Sequence, residues 1–218
     1  MSPKRRAVGR PRSEPGRDLK ADILRISLEL LDEGGLAALS MREVARRAGC
    51  THQAPYHYFA DRESILAALI TGGFEELAKA LRDANDMSAD SGVRAAVAAS
   101  GRAYVQFAVT HASVFRLMFR PELCDETRHP DVRTAGRAAQ AELERLNSIV
   151  FGNRANAALA ALLWSEVHGL SCLLVDGPLA TRFSDPRARD QHLGEVIDAF
   201  CDMVLHSGLG SGQPGRKT

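Results

Sequence analysis

A dense run of hydrogen-bonding side chains lies over residues 51–58. Gln53 can pair bidentately with adenine, and His52 can donate to guanine or accept from an exocyclic amine. Arginine and tyrosine side chains donate to phosphate oxygens, which positions a protein on a duplex, and Arg46 and Arg47 are predicted to add such contacts. These residue types predict contact with nucleic acid; the alternative for His52 and Gln53 is a solvated helix start. The residues predicted to contact DNA are Arg42, Thr51, His52, Gln53, Tyr56, His57, Tyr58 and Arg62.

Two predicted helices lead into this run. Apolar residues at helical spacing predict a helix from about residue 18 that Gly34-Gly35 ends. Ser40 and Glu43 then form a capping box, in which the hydroxyl accepts from the first amides and the carboxylate reaches back. The sequence therefore predicts a short second helix that begins at Ser40 and ends before Gly49.

A further short helix is predicted from Thr51 or His52 to Tyr58. Two short helices joined by a tight turn are the layout of a helix-turn-helix, whose second helix enters the major groove. The N-terminal residues of that helix reach base edges first, which is where His52 and Gln53 lie. Phe59, just beyond the helix, is assigned to the core.

The remainder of the chain predicts more helices and no strand. Asp61 and Asn153 are predicted to cap two of them. Loops are predicted over 122–130 and 178–187. The predicted helices cover about 61–84, 91–111, 114–119, 132–152, 153–175 and 193–206.

The N-terminal end is basic although the whole chain carries a formal net charge of only +1. Residues 1–20 hold seven basic and two acidic side chains, a net charge of +5. Within them, Gly9-Arg10-Pro11-Arg12 resembles the Gly-Arg-Pro core of a minor-groove AT-hook. Arg10 and Arg12 are therefore predicted to enter an A·T-rich minor groove. The alternative is a basic, solubilising tail.

Composition and motifs argue against several classes of protein. Four widely spaced cysteines without a C-x-x-C pair predict reduced thiols and a cytoplasmic location. The basic N-terminal residues are not followed by an apolar stretch, which argues against a secretory signal. The apolar segment from Ala157 to Val175 carries Glu166 and His168, so a buried soluble helix is predicted rather than a membrane span. No P-loop, G-x-S-x-G or H-E-x-x-H motif occurs, so no catalytic residue, cofactor or metal site is predicted and the chain is not expected to be an enzyme.

The segment from Ser40 to Leu69, SMREVARRAGCTHQAPYHYFADRESILAAL, resembles the DNA-binding segment of the TetR family of one-component regulators. The resemblance is specific across 18–70 and diffuse beyond it. One further match is Trp164-Ser-Glu-Val-His168-Gly169, which is similar to the Trp…His-Gly signature of one TetR C-terminal subgroup. Pro55 departs from the usual Leu, and Tyr58 stands where the family often has a phosphate-binding His. A phenol still donates one hydrogen bond.

The predicted fold class is all-α, with an N-terminal three-helix helix-turn-helix DNA-binding domain and about nine helices in total. The resemblance implies that the other helices form a larger ligand-binding and dimerisation domain. The predicted organisation is a basic disordered arm over 1–17, the helix-turn-helix domain over 18–66, the effector-binding and dimerisation domain over 67–207 and a disordered tail over 208–218.

A ligand pocket in that second domain needs apolar walls and a few polar anchors. Trp164 and His168 lie four residues apart on one helix face, each with a polar tip, and Phe119 is a candidate wall. The alternative is that these side chains belong to the core. The predicted effector-pocket residues are Phe107, Phe115, Met118, Trp164 and His168.

The predicted function is sequence-specific transcriptional regulation by a homodimeric repressor that a small-molecule effector releases from a pseudo-palindromic operator in double-stranded DNA. The last two long helices have apolar faces, and two such pairs would make a four-helix dimer interface; alternatively they pack only within the monomer. Other possible functions are a nonspecific nucleic-acid-binding or architectural protein and an enzyme using the helical domain. Gly72-Gly73 is predicted to be a hinge, with close helix packing as the alternative.

Overall fold

The structure is a computed structural model that describes residues 18–206. Every regular element in that range is helical, which confirms the predicted all-α fold class. The chain divides into two compact units between Ala68 and Leu69. The helix α3, Arg62–Met87, begins in the first unit and continues into the second.

The first unit begins with α1, Leu19–Ala38, and α2, Met41–Arg47. Asp18 caps α1 by accepting a backbone amide of the first turn at 3.1 Å. Gly34 and Gly35 leave helical backbone geometry, and Gly35 has a φ of 62°, which a side chain would strain. The predicted helix end is therefore a sharp break, followed by one more short helical stretch.

The start of α2 forms half of the predicted capping box. The Ser40 hydroxyl oxygen accepts from the Glu43 amide at 3.2 Å. Within residues 18–206, the Glu43 carboxylate accepts from Arg46 and Arg47 instead of reaching back to the Ser40 amide. After α2, Gly49 has a φ of 63°, the left-handed conformation that makes the tight turn.

The element after this turn is tighter than predicted. A single 3₁₀ helix, Ala54–His57, replaces the α-helix predicted over 51–58. Its amides donate to carbonyls three residues back, as from Tyr56 to Gln53 at 3.2 Å. Ala54 and Tyr58 likewise donate to the carbonyls of Thr51 and Pro55, three residues back, and Pro55 lies at the start of the element, where the missing amide is tolerated.

The core of the first unit is formed by the apolar faces of its helices, which pack against one another. Phe59 is buried, as expected. Burial of such side chains contributes about 1.5–3 kcal/mol each. Other almost fully buried apolar residues include Ile23, Leu30, Leu39, Val44 and Ile65.

The second unit is built around α4, Val93–Thr110. Its other helices are α5, Ala112–Met118; α6, Pro130–Phe151; α7, Ala157–Val175; α8, Pro178–Arg182; and α9, Pro186–His206. The central helix α4 packs against α6, α7 and α9. These four helices together supply most of the walls of the cavity described below.

Three predicted boundaries in this unit are wrong, since α9 begins at Pro186 and not near Leu193. The cap of α7 is Asn156 rather than Asn153, because Gly152–Arg154 forms a 3₁₀ turn first. The Asn156 Oδ1 accepts two amides of the first turn of α7 at 3.0 and 3.1 Å. The region 178–187, predicted as a loop, contains α8, which starts at Pro178, where a fixed φ favours the first helical residue.

The helix α7 is buried on one face only, so the prediction of a buried helix for this segment is only partly correct. Leu162 is 60% exposed and Leu173 is 44% exposed. By length and composition alone, α7 would be able to cross a membrane. The buried residues of α7 are Leu163, Val167, Leu170, Ser171 and Leu174.

The helix α3 runs without interruption through Gly72 and Gly73. A Cβ added to Gly73 would lie 2.3 Å from Val114 Cγ1 and 2.9 Å from Met118 Sδ. Around a Cβ at Gly72, by contrast, no atom of the described residues lies within 4 Å. Close packing therefore explains Gly73, and a hinge stays a prediction for Gly72 alone.

Candidate nucleic-acid interface and internal cavity

All eight side chains predicted to contact DNA are exposed. Six of them lie on the segment 51–58, which follows the turn at Gly49 and contains the 3₁₀ helix. Arg42 lies in the first turn of α2, and Arg62 is the first residue of α3. The fold therefore presents the whole predicted set to solvent, with no member used to fill the core.

Two buried residues hold the segment 51–58 in place. Pro55 is buried and Phe59 is only 5% exposed, so this side of the segment is anchored in the core. Tyr56 and Tyr58, on the other side, are 42% and 48% exposed. The His52 ring lies 5.8 Å from the Tyr56 ring, close enough for each to limit the other's motion.

The basic residues of α2 differ in what they already bind. Arg47 pairs with both carboxylate oxygens of Glu33 at 2.7 and 2.5 Å and donates to Glu43 at 3.1 Å. Arg46 donates twice to Glu43, at 2.9 and 2.6 Å. The hydrogen bonds from Arg46 and Arg47 lower the pKa of Glu43 to about 2. Arg42 takes part in none of the ion pairs found within 18–206, so it is the cation of α2 that is available to a phosphate.

Arg62 already has a partner inside the first unit. Its guanidinium Nη2 donates to the Leu36 carbonyl, which ties the first residue of α3 to the last stretch of α1. Its side chain is nevertheless exposed. The predicted minor-groove residues Arg10 and Arg12 lie outside the described residues, as do the predicted arm and tail.

The second unit contains a partly open cavity of about 560 Å³. This volume is in the range of small-molecule sites. Its wall is mostly apolar, and the polar lining residues include Ser100, Tyr104, Gln140, Asn147 and Asn156. The apolar lining residues include Phe74, Leu77, Leu81, Val97, Phe119, Leu143, Leu146, Leu163, Trp164, Val167 and Phe200.

The predicted pocket residues divide between this cavity and the packed cluster beside it. Trp164 lines the cavity, as does Phe119. Phe107, Phe115, Met118 and His168 are not among its lining residues. The His168 ring lies 4.6 Å from that of Phe119 and 5.4 Å from that of Phe115.

The Tyr104 hydroxyl joins Trp164 to His168. Trp164 Nε1 donates to the Tyr104 oxygen at 3.1 Å, and that oxygen lies 2.9 Å from His168 Nδ1. Burial raises the pKa of Tyr104 and lowers the pKa of His168, so the tyrosine keeps its proton and the histidine is neutral. Because indole can only donate, the Tyr104 oxygen accepts from Trp164, whereas the direction of the Tyr104–His168 hydrogen bond is set by the tautomer of the histidine.

Tyr104 and Asn147 line the cavity although neither was predicted as a pocket residue. Asn147 is only 5% exposed, and it lies on the same face of α6 as Leu143 and Val150. The sequence signal for Asn147 was a polar residue on an otherwise apolar helix face. A buried polar group requires a hydrogen-bond partner, so such a residue indicates a polar contact inside the unit. Tyr104 was hidden in the apolar face of α4, where only its contact with α7 distinguishes it from a core residue.

Two family models match the chain. The model described as bacterial regulatory proteins, tetR family, matches residues 23–69. The model described as tetracyclin repressor-like, C-terminal domain, matches residues 97–200. The first match covers the helix-turn-helix, and the second covers α4 and most of the helices after it.

Relatives and solved structures agree with these matches. HTH-type transcriptional regulators of Mycobacterium tuberculosis and Mycobacterium bovis are 29% identical to the chain over 129 residues, 59% of its length. The chain spans 55% of the length of these relatives. A protein of unknown function from Rhodococcus sp. RHA1 is 28% identical, with a TM-score of 0.73 over 91% of this chain and 100% of that one. The TetR family transcriptional regulator PfmR from Thermus thermophilus shares the fold at 19% identity, with a TM-score of 0.62 over 84% and 96% of the two chains.

The two matches belong to one family. One model covers the helix-turn-helix with its exposed polar segment, and the other covers the helical unit that follows. Since both family models and the relatives lead to that same family, we conclude that the chain belongs to the TetR family of transcriptional regulators and carries its DNA-binding helix-turn-helix domain.

Proposed function

We propose that this TetR-family regulator is a homodimeric repressor that binds a pseudo-palindromic operator and is released by a small-molecule effector. The observation that carries the proposal is the exposure of all eight predicted contact residues, six of them on segment 51–58. His52 and Gln53 read base edges, and Arg42 and the tyrosine hydroxyls contact phosphate. The same proposal gives the protein a cytoplasmic location and no membrane partner or catalytic role.

A second copy of the chain covers the exposed face of α7. Leu162 and Leu173 on α7 and Met203 on α9 are large apolar side chains left in solvent. Burying them against a twofold-related copy gains about 25 cal/mol per Å² of apolar surface. A dimer also explains how a helix-turn-helix this small reads an operator, because two half-sites are bound together.

Release follows from a ligand that prefers the conformation with low DNA affinity. The cavity of the second unit is the binding site that this mechanism uses. The helix α3 supplies Phe74, Leu77 and Leu81 to the cavity wall, and its first residues belong to the first unit. A ligand that shifts this wall therefore acts on a helix that both units share.

The test of operator reading is a selection of random DNA duplexes by the purified protein and by a His52→Ala, Gln53→Ala variant. We expect a pseudo-palindromic site that the variant no longer enriches. Gln106→Ala, which removes an exposed glutamine of the second unit, is the matched control and should enrich the same site. If the unchanged protein enriches no sequence, specific operator reading is refuted in favour of nonspecific binding.

The test of the dimer is light scattering on a Leu162→Glu, Leu173→Glu variant. Placing four carboxylates in the two-copy interface should produce monomers and weaken operator binding. Met87→Glu, at a residue that is 85% exposed, is the matched control and should stay dimeric. A double variant that remains a dimer would show that α7 does not form the interface.

A further inference from the structure

Arg46 lies on the same exposed face of α2 as Arg42. Both side chains are exposed, whereas Val44 and Ala45 between them are buried. The two arginines are four residues apart, about 6 Å along the helix axis. In a helix-turn-helix the first of the two helices crosses the DNA backbone. A face of α2 that presents Arg42 to a phosphate therefore presents Arg46 to the same backbone.

The donors of Arg46 are already occupied by Glu43. Arg46 Nε donates to Glu43 Oε2 at 2.9 Å and Nη2 donates to Oε1 at 2.6 Å, so the guanidinium binds both carboxylate oxygens. The Arg46 side chain is 68% exposed, and an ion pair in that setting contributes little free energy. A phosphate accepts from arginine in the same two-pronged geometry, so it can replace the carboxylate.

Arg47 has a different role from that of Arg46. It binds both carboxylate oxygens of Glu33 on α1 in addition to Glu43 on α2, and its side chain is only 27% exposed. Arg47 therefore joins α1 to α2, and its bonds to Glu33 do not depend on the charge of Glu43. The exchangeable arginine of this cluster is Arg46.

We propose that Glu43 limits the DNA affinity of the helix-turn-helix by competing with the backbone phosphates for Arg46. The carboxylate binds the guanidinium in the free protein, and a phosphate takes its place on the duplex. This competition weakens binding to every sequence alike, because a phosphate contact carries no information on the base. The inference rests on the DNA binding in the proposed function and does not depend on the operator or the effector.

The test measures the affinity of the unmodified chain and its variants for one random-sequence duplex at several salt concentrations. Glu43→Gln removes the charge and keeps the side-chain shape, and the backbone amide that Ser40 caps is unchanged. We expect this variant to bind about two- to fivefold more tightly at about 0.1 M salt. The gain should shrink as the salt concentration rises, because salt screens the exposed pair.

A double-mutant cycle with Arg46→Gln identifies the arginine through which Glu43 acts. Without the guanidinium, Glu43→Gln should lose most of its gain. Arg46→Gln alone should flatten the dependence of log K on log salt by about 0.9, the value of one phosphate contact. Glu29→Gln is the matched control. It removes a carboxylate that pairs at 2.6 Å with an exposed arginine, Arg25, on α1, where no DNA contact is predicted, and should leave the affinity unchanged.

Three results would overturn the role of Glu43. They are no gain in Glu43→Gln, an equal gain with and without Arg46, and an equal gain in Glu29→Gln. If Glu43→Gln does not fold, an unchanged salt dependence in Arg46→Gln overturns the proposal by itself. A residue that only positioned segment 51–58 would instead lose operator preference when changed, with no gain on random DNA.

The random-sequence duplex separates this inference from the proposed function. If the selection enriches no operator but Glu43→Gln gains affinity through Arg46, operator reading is refuted and the role of Glu43 is supported. If an operator is enriched and Glu43→Gln binds random DNA no more tightly, operator reading is supported and the role of Glu43 is refuted.

Discussion

Gly72 and Gly73 allow a measurement of close packing with a control one residue away. Both lie inside α3, so replacing either with Ala gains about 1 kcal/mol of helix propensity. Only the Gly73 methyl meets neighbours, at 2.3 Å from Val114 Cγ1 and 2.9 Å from Met118 Sδ. Ordinary contacts between carbon atoms are about 3.5–4.0 Å, so one side must move.

The two neighbours differ in how easily they move. Met118 is unbranched and adapts, whereas Val114 is stiff at χ1 and buried, so the backbone of α5 must shift. Overpacking of this kind costs about 1–3 kcal/mol. Gly72→Ala should therefore stabilise the protein by about 1 kcal/mol, and Gly73→Ala should be about 1–3 kcal/mol less stable than Gly72→Ala.

Urea unfolding followed by Trp164 fluorescence measures this difference, since Trp164 and Gly73 lie in the same unit. In thermal unfolding, each 1 kcal/mol corresponds to about 2–4 °C in Tm for a chain of this size. Shortening Val114 in a Gly73→Ala, Val114→Ala variant should recover part of the loss, which a double-mutant cycle quantifies. The packing argument is refuted if Gly73→Ala stabilises the protein as much as Gly72→Ala does.

Two further outcomes follow from the polar contacts. Tyr104→Phe leaves Trp164 Nε1 and His168 Nδ1 without their shared partner and should cost about 1–3 kcal/mol in urea unfolding, with a shifted Trp164 emission; unchanged stability and emission would contradict the bonded chain. Because the pKa of Glu43 is lowered to about 2, its ion pairs with Arg46 and Arg47 stabilise the fold above the usual glutamate pKa and are lost as the pH falls through about 2. Glu43→Gln should therefore flatten the acid side of the stability–pH curve, and an unchanged acid limb would show that these pairs contribute nothing.

Local signals in the sequence predicted most of the first unit. Polar caps, paired glycines and apolar spacing act over a few residues, so Ser40 and Gly49 indicate helix limits without knowledge of the fold. The exposed polar segment 51–58 is readable for the same reason. The element is a 3₁₀ helix of four residues rather than the longer predicted helix, because polar residues and apolar spacing do not distinguish hydrogen bonds to the third residue back from those to the fourth.

The composition of the cavity wall was decided by tertiary structure. Its lining residues Tyr104, Asn147 and Trp164 come from three different helices, α4, α6 and α7. Periodicity shows which side of one helix is apolar, but it does not show which helix that side meets. That is why His168 and Phe115, equally plausible from the sequence, lie in packed contacts beside the cavity.

The sequence by itself determined the helical class, the helix-turn-helix and the polar segment it exposes, because these depend on hydrogen bonds and apolar spacing within a few residues. Only the tertiary structure decided that Gly73 is a packing contact, that the buried Asn147 oxygen has no partner among residues 18–206 and that one apolar face of α7 is exposed. Each of those properties depends on atoms from another helix, and no pattern within one segment of sequence contains them.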